Sequence, residues 1–346
     1  MVAFGGGTGM STLLAGLRKF TENVTAVVTV TDNGGSSGRL RNDFDMLPPG
    51  DIRNCLVALA DVDPLISKAF QYRFEEAEFK GHCFGNLFIT VLTRIVGSFE
   101  TSILELNRLL RVKGRVLPAA GRKVSLVAHH TDGTKSTGEV SISRSPKRIE
   151  RVELRPGPVP VSKEIMESVE AADLFLFGPG SLYTSVVPNL LLQGLMEQIR
   201  ANGSPRVYIG NIMTQPGETD GYGLSDHVRA LRAHVGDDFP DCVIAHEGEL
   251  PPRVLEKYQA EAAVPVALDL DGKAEFSGLR VIFGDLYDGS SNARHDSARL
   301  AQVLHKEFLA GRGDSDSADL ESPASVAKVD CVPSTNTPGG AAGKAD

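Results

Sequence analysis

The chain has 346 residues, 41% apolar and 23% charged, with 36 glycines, 19 prolines and no tryptophan, which excludes fibrous, collagen-like and wholly disordered classes. The net charge of −8 leaves no basic excess to displace phosphate counterions, so nucleic acid is not an expected partner, whereas a small phosphorylated ligand needs only local donors. No apolar run reaches the roughly 18–20 residues of a membrane helix, so no membrane span is expected.

In chain order, strands alternate with helices. Val2–Phe4 is a short apolar run that breaks into Gly5-Gly6-Gly7-Thr8-Gly9. Helical spacing follows from Ser11 to Phe20, with Leu13, Leu14, Leu17 and Phe20 on one side. Val24–Thr31 is a β-branched run ending at Asp32. A helix is predicted over Asp51–Leu59 after Pro48-Pro49-Gly50, and two more over Asn86–Ile95 and Thr101–Leu110. Between residues 115 and 155 the runs become short: Val116–Pro118, Lys123–Ala128, Glu139–Ser143 and Arg151–Leu154. With Asp132-Gly133 as a turn, they predict an antiparallel β excursion. Strands are then predicted over Asp173–Phe177, Arg206–Ile209, Cys242–Ala245, Val264–Leu268 and Leu279–Phe283. Ser225 is expected to cap a helix to His234, and Asp296–Leu309 to close the fold. The repeated units predict an α/β fold with a doubly wound, mostly parallel sheet over residues 1–310 as one domain. Residues 311–346 carry no aromatic residue and hold six acids against three bases, a composition expected of a disordered tail.

Cys55, Cys83, Cys242 and Cys331 show no metal or redox spacing and are expected to be free thiols. The start has neither the basic nor the apolar region of a secretion signal, so a cytoplasmic location is expected.

Four loops are candidates for ligand contact, and a fifth polar loop at a strand end, Gly210-Asn211 with Thr214–Asp220, reads equally as a ligand contact or a plain turn. In the first, Gly5, Gly6, Gly7, Thr8 and Gly9 let the backbone approach a ligand, and the following helix start offers free N–H groups to an anion. The spacing is not the dinucleotide fingerprint, because Met10 stands where a small residue is needed, and no lysine follows as in a phosphate loop. In the second, Asp32 sits at a strand end about 20 residues on, where an acid meets a ribose hydroxyl in a nucleotide-binding sheet. Asn33, Gly34, Gly35, Ser36 and Ser37 supply amides and hydroxyls, while Arg39 and Arg41 can grip phosphate. In the third, Asp51 is expected as an N-cap, and Arg53 and Asn54 lie in a first turn where a cation opposes the helix dipole, which points to a ligand or a buried partner. The fourth, Gly178, Gly180, Ser181, Tyr183 and Thr184, repeats the logic of the first at a second strand end. Asn211 and Arg294 are further expected contacts, His82 is a candidate ligand or acid/base group, and Asn86 is expected as a helix cap. No zinc spacing and no nucleophile elbow appear, so no catalytic residue is assigned.

These strings, together with Pro188-Asn189 and the stretch 213–222, resemble the bacterial gluconeogenesis factor family (YvcK-like) within the CofD-like superfamily, in order from about residue 2 to 305. The resemblance implies a Rossmann-like cytoplasmic domain that binds a UDP-activated sugar such as UDP-N-acetylglucosamine. It further implies a regulator linked to gluconeogenic growth, cell shape and cell-wall synthesis, with no firmly attached reaction, and leaves room for a regulated protein partner and a homo-oligomer. The alternative it carries is the related 2-phospho-L-lactate transferase branch, which moves a phospholactyl group from a guanylylated donor with Mg²⁺. That branch shares the Gly-Gly-Thr-Gly loop but lacks the Gly-Gly-Ser-Ser-Gly-Arg run found here at 34–39. Asn33 stands where a second aspartate is frequent in the gluconeogenesis factors, which weakens a two-carboxylate metal site at 32–33.

Overall fold

A computed structural model describes residues 1–270 and 273–310. The first half runs β1 (Val2–Gly5), α1 (Gly7–Leu17), β2 (Thr25–Val28), α2 (Gly35–Asp43), α3 (Gly50–Leu59), α4 (Pro64–Gln71), α5 (Phe84–Val96), α6 (Phe99–Leu109) and β3 (Arg115–Pro118). A smaller unit follows: β4 (Ser125–His130), β5 (Lys135–Thr137), α7 (Glu139–Ser143) and β6 (Ile149–Arg155). The chain then returns through α8 (Lys163–Glu170), β7 (Phe175–Phe177), α9 (Val187–Leu190), α10 (Leu195–Asn202), β8 (Arg206–Ile209), α11 (Leu224–Val235), β9 (Cys242–His246), α12 (Pro252–Ala260), β10 (Arg280–Gly284) and α13 (Ser297–Leu304).

The seven-stranded sheet has the order β10-β9-β8-β7-β1-β2-β3, every neighbouring pair parallel. β1 and β7 are buried on both faces, as a parallel sheet covered by helices requires. Successive strands leave β1 toward β3, and the chain then comes back to place β7 on the other side of β1. The connections after β1 and β7 therefore diverge. Phe4 and Phe177 stack across this pair with ring centroids 5.1 Å apart.

Several elements differ from the sequence expectation. Arg115–Pro118 is the parallel edge of the main sheet beside β2, so the antiparallel sheet is β5-β4-β6 alone. Glu139–Ser143 is helical. Its Val140/Ile142 alternation mimics a strand, but the Ile142 N–H closes a turn onto the Gly138 carbonyl at 3.0 Å and the Val140 N–H is taken by Asn33 Oδ1 at 3.0 Å. Val264–Leu268 makes only the isolated bridges Met213–Pro265 and Gly223–Ala267. Ser225 is not a cap: Gly223 is, and Ser225 gives its N–H and hydroxyl to Asp269 at 2.8 and 2.6 Å. Asn86 lies inside α5, whose N-cap is Cys83. The Gly/Ser run at 34–38 opens α2, with Ser36, Ser37 and Leu40 buried. Helices α4 and α8 carried start signals in Asp63-Pro64 and Ser162, whose side chains accept from the Leu65 and Ile165 N–H groups.

The small sheet is fastened to the main body at two places. Arg41 donates to the carbonyls of Thr31 and Val124 and to Ser125 Oγ, at 3.4, 2.7 and 3.2 Å, so this guanidinium is a structural tether between β2 and β4. His234 on α11 accepts the Val152 N–H at 3.0 Å, while its other ring nitrogen bonds the Ala230 carbonyl. Cys55, Cys83 and Cys242 are free and buried. Among the described residues no single helix is long and apolar enough to cross a membrane. The expected tail, 311–346, lies outside the described residues.

Helix α1 packs against α3 and α13, and Gly16 is the crossing point with α13, where a Cβ would overlap the Ser297 carbonyl. Replacing Gly16 by Ala should force α13 outward and cost about 1–3 kcal/mol. A denaturation midpoint equal to that of the unsubstituted chain would show that α13 does not need this approach.

Candidate functional site

The two diverging connections form the site. After β1 the chain turns through Gly7, whose φ of 65° is left-handed and suits glycine, into α1. After β7 it turns through Gly178, with φ 82°. The turns touch: a Cβ on Gly9 would overlap the Pro179 carbonyl, and one on Gly6 would stand 2.8 Å from Asp51 Oδ2. Asn189 Nδ2 bridges the Gly5 and Ser185 carbonyls at 3.3 and 2.9 Å and so pins the end of β1. Ligands of open parallel sheets bind in the crevice outside the strand ends at such a switch point.

One side of the crevice is a cleft of about 190 Å³. Thr8, Gly9 and Thr12 line it from α1, Pro179 and Gly180 from the turn after β7, Asn211–Gln215 from the loop after β8, Tyr258 from α12, and Ala293–His295 from the loop before α13. Gln215 donates to Ser181 Oγ at 2.8 Å and receives Asn211 Nδ2 at 3.3 Å, a polar chain along the wall. Arg294 lines this cleft, and its guanidinium makes no hydrogen bond or ion pair with any described residue. It is free to neutralise an anion lying on the two turns.

The other side carries carboxylates. Asp32 Oδ1 accepts the Gly34 N–H at 2.7 Å. Asp51 is not an N-cap of its own helix, which starts from Pro49; it accepts instead from the Gly7 N–H at the start of α1. Burial, with Asp32 close by, pushes Asp51 up to about 6. Glu139 opens α7, which Asn33 holds in place through Val140. Burial and then the charges of Asp32, Asp51 and Glu218 push Glu139 up to about 8. Glu139 is therefore mainly protonated at neutral pH and can donate a hydrogen bond. Glu218 Oε1 accepts from Ser143 and Thr184 hydroxyls at 2.9 and 3.0 Å, and its Oε2 has no hydrogen-bond partner among the described residues. Burial raises this group too.

The structure sorts the residues singled out in the sequence. Gly9, Thr8, Gly180, Asn211 and Arg294 line the cleft, with Ser181 bonded to its wall. Gly6, Gly7, Asp32, Asn33, Gly34 and Asp51 stand on the carboxylate side. Arg53 is buried, with its guanidinium on Asn86 Oδ1 and Asn54 Oδ1 at 3.0 and 2.6 Å, so both Arg53 and Asn54 have protein partners. Arg39 is exposed and donates to the Lys80 carbonyl at 2.9 Å, and it does not line the cleft. Ser36 lies among His82, Cys83 and Asn86, and a Cβ on Gly50 would overlap the Ser37 hydroxyl. His82 Nδ1 pairs with the Ser36 hydroxyl at 3.3 Å. Tyr183 and Thr184 point inward, Tyr183 to the Tyr222 hydroxyl at 2.9 Å and Thr184 to Glu218. Glu139, Thr12, Tyr258 and His295 are not singled out by the sequence, whereas Gln215 and Glu218 lie in the polar loop 214–220, which reads equally as a ligand contact or a turn.

Comparison with known proteins agrees with this architecture. The family described as 2-phospho-L-lactate transferase CofD matches residues 1–287. The gluconeogenesis factor of Halalkalibacterium halodurans is 44% identical over 307 residues, covering 88% of this chain and 95% of that protein. The gluconeogenesis factor of Bacillus subtilis is 43% identical over 303 residues, covering 87% and 95%. A crystal structure of a Bacillus halodurans protein superimposes with a TM-score of 0.85 at 44% identity, covering 88% of this chain and 98% of that one. The chain belongs to the CofD family, and its relatives within it include the bacterial gluconeogenesis factors.

The carboxylate side predicts a pH signature. The folded state holds the Glu139 proton more tightly than the unfolded state does, since the group rises from 4.5 to about 8. The stability this proton confers is complete below about 4.5 and is lost as pH rises through about 8. Glu139→Gln should therefore melt higher than the unsubstituted protein at pH 8, with the gap closing toward pH 4.5. A gap that is constant with pH would show that Glu139 does not face the other carboxylates.

Proposed function

With family membership as the premise, we propose that this protein is a nucleotide-sugar-binding regulator whose ligand is UDP-N-acetylglucosamine or a related UDP-sugar. One observation carries the reading: two glycine turns meet at the strand ends, so close at Gly9 and Pro179 that no Cβ fits, and the cleft beside them is also lined by Arg294, whose guanidinium has no partner among the described residues. A pyrophosphate fits that arrangement, on the amides of Gly9 and Gly180 with Arg294 as counter-charge. Asp32 then accepts from a sugar hydroxyl. We place the protein in the cytoplasm, in the control of carbon use, cell shape and cell-wall synthesis, where a regulator needs a protein partner and can self-associate.

A second reading, a transferase acting on a nucleotide-activated donor, is favoured by the carboxylates Asp32, Asp51 and Glu139 and by the CofD family description. Among the described residues no group of three or more His, Cys, Asp or Glu side chains is placed to hold a metal. The residues fit Mg²⁺ only in the manner Mg²⁺ prefers with nucleotides, through one or two carboxylates, here Asp32 and Asp51, with phosphate oxygens and waters completing the shell. Bound so, the ion would offset charge on the phosphates.

Melting temperature with a ligand panel separates the two. A ligand held only by the folded state adds about 2.7 kcal/mol at 100 times its Kd. We expect UDP-N-acetylglucosamine to raise the melting temperature and GDP and GTP not to. Stabilisation by the guanine nucleotides alone would favour the transferase. Arg294→Ala should weaken the UDP-sugar about tenfold or more, one charge-assisted contact being about 1.5–3 kcal/mol, without lowering the melting temperature of the free protein.

A further inference from the structure

Beyond Asn211 and Ile212, which line both spaces, the cleft continues into a larger cavity of about 530 Å³. Its walls are apolar: Leu224 from α11, Ala245 from the end of β9, Leu250, Leu255 on α12, Val266 and Leu268. Three polar side chains interrupt them: Asn211 where the two spaces join, Glu249 and His246. The His246 side chain is 6% exposed, its Nδ1 accepts the Leu286 N–H at 3.1 Å, and its Nε2 has no hydrogen-bond partner among the described residues. His295, 8% exposed and lining the adjoining cleft, also leaves Nε2 unpartnered. A buried ring nitrogen without a partner carries a desolvation cost that a bound polar group would relieve.

A cavity with apolar walls and a few polar groups suits a flat ring with a polar edge. A sugar ring, hydroxylated all round, would leave hydroxyls unpaired against leucine and valine. The opposite side of the crevice has the reverse character, with Asp32 and Asp51 as acceptors and a protonated Glu139 as donor. We infer that the cavity between β8, β9 and α12 seats the base of the bound nucleoside diphosphate, so that the ligand runs from there across the two glycine turns and presents its sugar to Asp32, Asp51 and Glu139. This rests on the nucleotide-sugar reading above and fixes the direction of the ligand in it. It also reverses one part of the expectation for nucleotide-binding sheets: Asp32, at the end of β2, would face the attached sugar and not the ribose of the nucleotide.

The chain has no tryptophan, so Leu255→Trp places a single indole on the cavity wall, at a position already 36% exposed. Titration of this variant with UDP should quench its fluorescence saturably, while inorganic pyrophosphate should not. His246→Ala should weaken UDP about tenfold and leave pyrophosphate within twofold. Asp32→Asn should weaken UDP-N-acetylglucosamine about tenfold and leave UDP within twofold. If the unsubstituted protein binds UDP-N-acetylglucosamine by calorimetry but the indole is silent and His246→Ala binds UDP normally, the base lies elsewhere and the inference falls while the functional reading stands. Equal losses of UDP and UDP-sugar in Asp32→Asn would overturn the direction. If the unsubstituted protein binds neither compound, the functional reading falls and the inference with it. Should His246→Ala fail to fold, the indole signal still decides the position of the base.

Discussion

The backbone of Gly9 and the carbonyl of Pro179 lie so close that no Cβ could stand between them, and the arrangement of the crevice follows from that approach. It brings the first turn of α1 against the turn after β7, so that two sets of amides from opposite sides of the switch point serve one space. Asn189 holds the approach from behind by joining the Gly5 carbonyl to the turn at Ser185. A side chain at Gly9 would part the connections and open a gap where the amides now converge. The glycines therefore answer a packing demand first, and the anion-binding character of the place is what that packing leaves exposed.

The crevice is electrically divided. Toward β8 and β9 it offers a free guanidinium, hydroxyls and amides. Toward β2 it offers Asp32, Asp51 and Glu139, with Glu218 behind them. The excursion between β3 and β7 creates this second half: its small sheet is anchored by Arg41 and His234, and its short helix is seated by Asn33, which brings Glu139 over the crevice. Asp32 and Asp51 are among the charges that raise Glu139, so the group the excursion contributes titrates in their field. The excursion thus sets the protonation chemistry of a site whose backbone belongs to the parallel sheet.

That division explains what could and could not be read in the sequence. Apolar runs ending in glycine or a polar residue revealed β1, β2, β7, β8 and β9, because burial on both faces of a parallel strand leaves an unmistakable composition. The glycine turns at 5–9 and 178–180 were legible for the same reason. The helix at 35–43 was hidden by its glycines and serines, and α7 by an alternation that tertiary hydrogen bonds override. The arginines were the hardest. Arg39, Arg41, Arg53 and Arg294 all stand near candidate loops, and the residue type says only that each can grip an anion. Three of them grip their own protein, through Lys80, Val124 and Asn86, and Arg294 does not; only the fold distinguishes a tether from a free donor.

The two halves of the crevice also constrain one another. Asp51 already takes the Gly7 N–H, the first amide of α1, and so occupies part of the positive end of that helix. An anion arriving at the turn cannot displace this carboxylate without leaving a buried charge unpaired, a costly exchange. It is therefore turned away from the β2 side by charge and drawn toward Thr8, Gly9, Gly180 and Arg294. An uncharged, hydroxyl-rich group meets no such repulsion, since it can donate to Asp32 and Asp51 and accept from Glu139. The carboxylates thus exclude phosphate from half the site, and in doing so they orient a ligand that carries phosphate in its middle and hydroxyls at one end.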